Sequence, residues 1–177
     1  MRRLIGLAIL AAGMAAQPAA AMTAGQANCP VELAPKTLGP MLIQEMLTYK
    51  EGQVKNRAIV DVVMQVLTAC LKREKVSAAH TDAYTKYVIS RISHDELARQ
   101  LGAMNVPTAM LDRAFGLGPG LANPRPDQIT DDQYNTLVPE LNKAGVKFES
   151  LPQNAANMMG AYVAVTGEMY RGMAVVR

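Results

Sequence analysis

Apolar positions are most continuous over residues 54–71, VKNRAIVDVVMQVLTACL. The polar residues Arg57, Asp61, Gln65 and Thr68, and then Lys72, step by three or four, so on a helix they form one narrow stripe. Every other position from Ala58 to Leu71 is Val, Ile, Leu, Met, Ala or Cys. A helix that is apolar nearly all round belongs in an interior, and the pattern predicts the central rod of a helical bundle.

The same periodicity divides the rest of the chain. Residues 22–37, interrupted by Pro30 and Pro35, read as an extended lead-in. Over 38–49, Leu42, Ile43, Met46 and Leu47 recur at helical spacing behind Pro40, a residue suited to a first turn, and Gly52 ends the run. Ser77 is a cap for a helix carrying Tyr84, Tyr87, Val88 and Ile92. Ser93 and Glu96 have the spacing of a capping box, so either a fresh helix starts there and runs to Gly102 or one long helix continues. In both cases Arg91, Asp95 and Arg99 fall at intervals of four on an exposed face. Asn105 and Pro107 open a short helix with Met110, Leu111, Ala114 and Phe115 on its apolar side, stopping at Gly116.

Residues 116–130, GLGPGLANPRPDQIT, hold too many glycines and prolines for a regular element. They read as a surface loop, either a connector or a binding loop. Thr130 with Gln133 is a second capping box, opening a helix with Tyr134, Leu137, Val138 and Leu141. Pro139 is expected to break or kink that helix, and Gly145 to end it. Residues 146–151 are a short linker. Over 152–175, Ala156, Gly160, Ala164 and Gly172 recur at steps of four or eight, a row of small residues that allows close packing on the central rod. Gln153, Asn154 and Asn157 at one end, and Glu168 and Arg171 at the other, leave too short an apolar stretch to span a membrane. The expected fold is all-α: a single bundle of about six helices over 38–177.

The amino end changes this picture by giving the chain an address. Arg2 and Arg3 precede LIGLAILAAGMAA and then Ala19, Ala20 and Ala21. A basic start, a short apolar core and a small-residue site make a secretory signal peptide, residues 1–21. The alternative, an uncleaved anchor, calls for about 20 apolar residues. The protein is therefore read as periplasmic or secreted, with no transmembrane segment after signal removal. The 18 basic and 15 acidic residues of the full chain come close to balance once Arg2 and Arg3 leave. With no long basic run, nucleic acid is excluded as a partner.

Cys29 and Cys70 are the only cysteines, and an even count in an exported chain predicts a disulfide. Such a staple would contribute roughly 4 kcal/mol on the chain-entropy model. No Cys-x-x-Cys occurs and no histidine lies near either cysteine in sequence, so a redox or metal pair is not expected. No cofactor is predicted.

Catalytic chemistry is thinly supplied. His80 and His94, if on one helix, stand about 21 Å apart along it and cannot share a metal ion. His94, Asp95 and Glu96 are adjacent in sequence, but neighbouring helical positions diverge by about 100 degrees, so they are not a ligand set by themselves. No Gly-x-Ser-x-Gly is present. Gly116, Gly118 and Gly120 follow a helix rather than a strand and lack a lysine, so they do not form a phosphate loop. Arg57 and Asp61 could pair with Glu168 and Arg171 across a shared seam, with pairing inside each helix as the simpler account. Methionine is abundant, 12 in the chain. Thioethers suit copper(I), although flexible core filling accounts for scattered methionines without a metal.

By elimination the sequence points to an exported helical protein that works by binding another macromolecule in the cell envelope, as an accessory, inhibitor or immunity-type factor, ahead of an enzyme. Helical periplasmic immunity proteins are similar in signal, size and disulfide, a likeness of layout without a shared motif. The candidate interaction residues are His94, Asp95 and Glu96, and Gly118, Pro119 and Arg125 in the loop; no catalytic residue is assigned. Two alternatives stand beside this reading: an envelope hydrolase whose site is assembled from scattered acids and His94, and a carrier of copper or a small ligand through methionines.

Overall fold

A computed structural model describes residues 22–50 and 53–176; the expected signal peptide lies outside them. Among the described residues the fold is all-helical: α1 (Ala24–Leu33), α2 (Leu38–Thr48), α3 (Arg57–Arg73), α4 (Thr81–Ala103), α5 (Thr108–Phe115), α6 (Asp131–Lys143) and α7 (Ala155–Val175), with three short 3-10 turns between them.

The long helices α4 and α7 form the spine and share the most extensive packing. They run antiparallel: Tyr162 meets His94, and further along, the space beside Gly172 is filled by Tyr87 and Ala83. The expectation that α3 is the central rod is therefore corrected. Its core face is Ile59, Val63, Val66, Leu67 and Cys70, while Val60 and Met64 are 41% and 50% exposed. The expected row of small residues does not act as one surface: Ala156 and Gly160 are exposed, and only Gly172 brings α7 close to a neighbour, which is α4 rather than α3. A methyl group at Gly172 would lie 3.1 Å from Tyr87 Cβ and 3.2 Å from the Ala83 carbonyl. Arg57 and Asp61 are both exposed on α3, and Arg171 pairs with Glu168 of its own helix at 2.6 Å, so the shared seam does not form.

The core has two compartments. One end of the spine joins α1 and α3 through Cys29, Val63, Leu67, Tyr84, Tyr87 and Met169. The other joins α5 and α6 through Leu97, Leu101, Leu111, Phe115, Leu137, Leu141, Met159 and Tyr162. Helix α2 bridges them, with Leu38 in the first and Ile43 in the second.

Residues 22–37, expected to be extended, contain α1. A Thr23/Gln26 capping box starts it, with Gln26 N–H donating to Thr23 Oγ1 and Thr23 N–H to Gln26 Oε1. Pro30 lacks the N–H that would pair with the Gln26 carbonyl. The Tyr84 hydroxyl donates to that carbonyl instead, at 2.9 Å, and the Tyr87 hydroxyl donates to the Ala27 carbonyl at 2.8 Å. The Cys29–Cys70 disulfide, with Cα atoms 5.7 Å apart, fixes α1 to the end of α3.

Ser93 does not start a helix. It is fully buried in the middle of the continuous α4, and Glu96 turns to Arg99 and Gln100. Helix α6 opens at Thr130 with the expected capping box and runs through Pro139 without breaking. The Asn135 carbonyl that Pro139 leaves unpaired belongs to an exposed residue, where water can satisfy it. No helix of the described residues is long and apolar enough to cross a membrane.

Candidate functional site

The exposed side of α3 forms one wall of an apolar groove of about 570 Å³. Helix α2 supplies the opposite wall with Leu42 and Met46; Ile59, Val60, Val63 and Met64 come from α3; Thr85 and Ile89 of α4 form the floor. Glu45, Tyr49, Lys55 and Asn56 stand at its edge. The rim is held by side chains: Asn56 N–H donates to Glu45 Oε1 at 3.2 Å, and Asn56 Oδ1 caps α3 by accepting from Ala58 N–H at 3.1 Å. Met46, Tyr49, Val60 and Met64 are between 38% and 50% exposed and lie together here. A contiguous apolar patch of this kind marks an interaction surface more often than isolated exposed residues do. Two of these four are methionines, whose unbranched thioethers adapt to an incoming surface. The groove offers one carboxylate and one ammonium and no nucleophile with a base beside it.

A second apolar groove, about 380 Å³, opens between α5, α6 and α7. Phe115 and Tyr134 meet edge to face on one side of it, with Met159, Gly160 and Val163 of α7 behind and Pro126 and Ile129 of the 116–130 loop at its border. The surface beside that loop is thus apolar rather than acidic.

The loop itself is tied down. Gly116, at φ +62°, takes the left-handed conformation that closes α5: Leu117 N–H donates to the Asp112 carbonyl at 2.8 Å and Gly116 N–H to the Arg113 carbonyl. Asn123 is buried and organises the turn, accepting from Gly118 N–H at 2.8 Å and donating to the Gly118 and Leu121 carbonyls. Arg171 of α7 donates to the Asn123 carbonyl. Gly118 is buried inside this turn, whereas Pro119 and Arg125 project into solvent.

The helical candidates separate. His94 and Asp95 join a polar line that crosses three helices. Arg91 Nε donates to Asp95 Oδ2 at 3.0 Å, His94 Nδ1 lies 2.9 Å from Asp95 Oδ1, and His94 Nε2 lies 3.3 Å from the Tyr162 hydroxyl. Tyr162 in turn donates to Asp112 Oδ1 of α5 at 3.0 Å. Burial works to raise the Asp95 carboxyl, but the His94 hydrogen bond and the Arg91 charge outweigh it and hold Asp95 below its usual range. Asp112 moves the other way, raised by burial against the opposing Tyr162 hydrogen bond and the His94 and Arg113 charges. Tyr162 is raised by burial and by the negative charge of Asp112. Glu96 points elsewhere, its carboxylate gripped by Arg99 Nε and Nη2 and by Gln100, and its Cβ against Gly39 of α2. Arg99 first, against burial, and then Gln100 hold it below the usual carboxylate range.

Neither groove is lined by His94, Asp95, Asp112 or Tyr162. Among the described residues no three His, Cys, Asp or Glu side chains gather in a way that could hold a metal ion. Met158, Met159 and Met169 are buried in the two core compartments.

Sequence reasoning missed Met46, Val60 and Met64 as surface residues, and Tyr162 and Asp112 as partners of His94. The signal for Val60 and Met64 was the all-round apolarity of α3, which is also what a helix with one core face and one docking face looks like. The second group lies on other helices than His94, Tyr162 being 68 residues away, and left no local signal. No protein-family model, curated protein or solved structure matches this chain.

Proposed function

We propose that the protein works outside the cytoplasm, in the cell envelope, by binding another protein, and that the groove between α2 and α3 receives an amphipathic helix of that partner. The observation that carries this reading is the apolar surface on α3 that the core does not use, Val60 and Met64, facing Met46 and Tyr49 of the α2 side. A helix laid in a groove presents apolar side chains at spacings of three, four and seven, and Leu, Met or Phe at such positions suits these walls. Glu45 and Lys55 at the edge favour a partner carrying the opposite charges beside its apolar stripe. Support for the location comes from the signal-like amino terminus and the Cys29–Cys70 disulfide.

The hydrolase alternative draws on the meeting of His94 with Asp95, Tyr162 and Asp112, but those groups satisfy one another and neither groove reaches them. The carrier alternative has Met46 and Met64 on the groove walls, which copper(I) titration of the Met46→Leu/Met64→Leu variant tests directly.

The test of the main reading is a photocrosslinker placed at Met64 in the native envelope, with one at exposed Pro119 as control. A discrete protein adduct from position 64, lost when Val60→Asp is added, and reconstitution of the complex from the two purified proteins, is the expected result. Equal labelling from both positions, or adducts to lipid alone, overturns it. Val60 is exposed, so Val60→Asp is expected to change stability by no more than about 0.5 kcal/mol, which thermal unfolding checks.

A further inference from the structure

We propose that the polar line from Asp95 through His94 and Tyr162 to Asp112 is a proton-dependent fastener that holds α5 against the α4/α7 spine. Asp95 spends Oδ2 on Arg91 and accepts at Oδ1, so His94 Nδ1 must carry a proton. Tyr162 has a single hydroxyl hydrogen, and it is donated to Asp112 Oδ1. Its oxygen then serves as the acceptor for His94 Nε2, 3.3 Å away, and that contact closes only when Nε2 carries a proton as well. The same contacts are made if the proton moves to Asp112: the carboxylic acid then donates to Tyr162, and Tyr162 donates to a neutral Nε2. Both arrangements hold one mobile proton between His94 and Asp112.

When that proton leaves, Tyr162 has one hydrogen for two acceptors, and either His94 or Asp112 loses its bond. The break falls between helices, because Asp112 belongs to α5, Tyr162 to α7 and His94 to α4. Helix α5 is only eight residues long and α6 packs mainly against it, so the Asp112 attachment steadies that end of the molecule, including the second groove. The other charged or titratable groups around the line are Arg91 and Tyr87 on α4, Arg113 on α5 and Tyr170 on α7. Loss of that proton is therefore expected to loosen α5 from the spine.

The experiment uses the mature protein. Nitrogen-15 NMR of the histidine rings, with His94 assigned by comparison with His80→Gln, should show both His94 nitrogens protonated on the acid side and Nε2 losing its proton first as pH rises. Asp112→Asn supplies an amide that donates to Tyr162 without the mobile proton, so its fastener stays complete at every pH. From pH 5 to 8 the wild-type melting temperature should fall by about 3 °C relative to this variant, the amount one hydrogen bond is worth in a domain of this size. Parallel pH profiles for the two proteins, or deprotonation of Nδ1 before Nε2, overturns the proposal. The NMR measurement is made on unsubstituted His94 and does not depend on the variant folding.

Discussion

Pro30 shows how a residue's local preference is overruled by a partner distant in sequence. A proline inside a helix leaves a carbonyl unpaired, and in α1 the buried Tyr84 hydroxyl takes up that carbonyl, on Gln26. Tyr84→Phe keeps the ring and removes the donor, so it should destabilise the fold by about 1–3 kcal/mol, the cost of an unsatisfied buried acceptor. Thermal unfolding measures the loss, and hydrogen exchange should place the lost protection in α1. Asp95 gives a second test. Its carboxyl is held below its ordinary value by His94 and Arg91, against burial. A lowered folded value means the stabilisation is present above the ordinary aspartate range, about 4, and is lost as pH falls through the folded value. Asp95→Asn should therefore flatten the acid limb of a plot of melting temperature against pH; an unchanged limb would assign acid unfolding to other carboxylates. Neither Tyr84 nor Tyr162 was legible as a polar partner, because an aromatic at helical spacing looks the same whether or not its hydroxyl is used.

At the scale of elements, two glycines in helices have opposite meanings. A methyl group at Gly39 of α2 would lie 2.9 Å from Glu96 Cβ on α4, a contact the two backbones must separate to relieve, whereas nothing lies within 4 Å of one at Gly160 of α7. Gly39→Ala should cost about 1–3 kcal/mol through overpacking. Gly160→Ala should gain up to about 1 kcal/mol from helix propensity. Chemical denaturation of the two variants side by side checks both signs. Periodicity located α2, α3, α5, α6 and α7 well, because each carries an apolar face at 3.6-residue spacing. It misjudged α3, since apolarity all round says that a helix meets apolar surface on two sides without saying that both are filled by its own chain. It left α4 open between one helix and two, because the Ser93/Glu96 spacing of a capping box occurs equally where Ser93 is buried mid-helix.

For the molecule as a whole, the disulfide ties the α1/α3 end, while the other compartment is held by packing and by the Tyr162 hydrogen bonds. Replacing both Cys29 and Cys70 by Ala should lower stability by roughly 2–4 kcal/mol, read as a shift in the denaturation midpoint, with α1 amides exchanging before those of α4 and α7. The sequence by itself determined the all-helical class, the disulfide and most helix limits, since these follow from spacing along the chain, from caps such as Thr130 with Gln133, and from having only two cysteines. Only the tertiary structure decided that α4 and α7 are the spine, that α3 keeps an open apolar face, and that His94 meets Tyr162 and Asp112. Those outcomes depend on which apolar faces find each other across long loops, and several pairings bury similar area at similar gain. The choice among them is made by close-fitting details such as Gly172 under Tyr87 and Gly39 against Glu96, which the order of residues does not display.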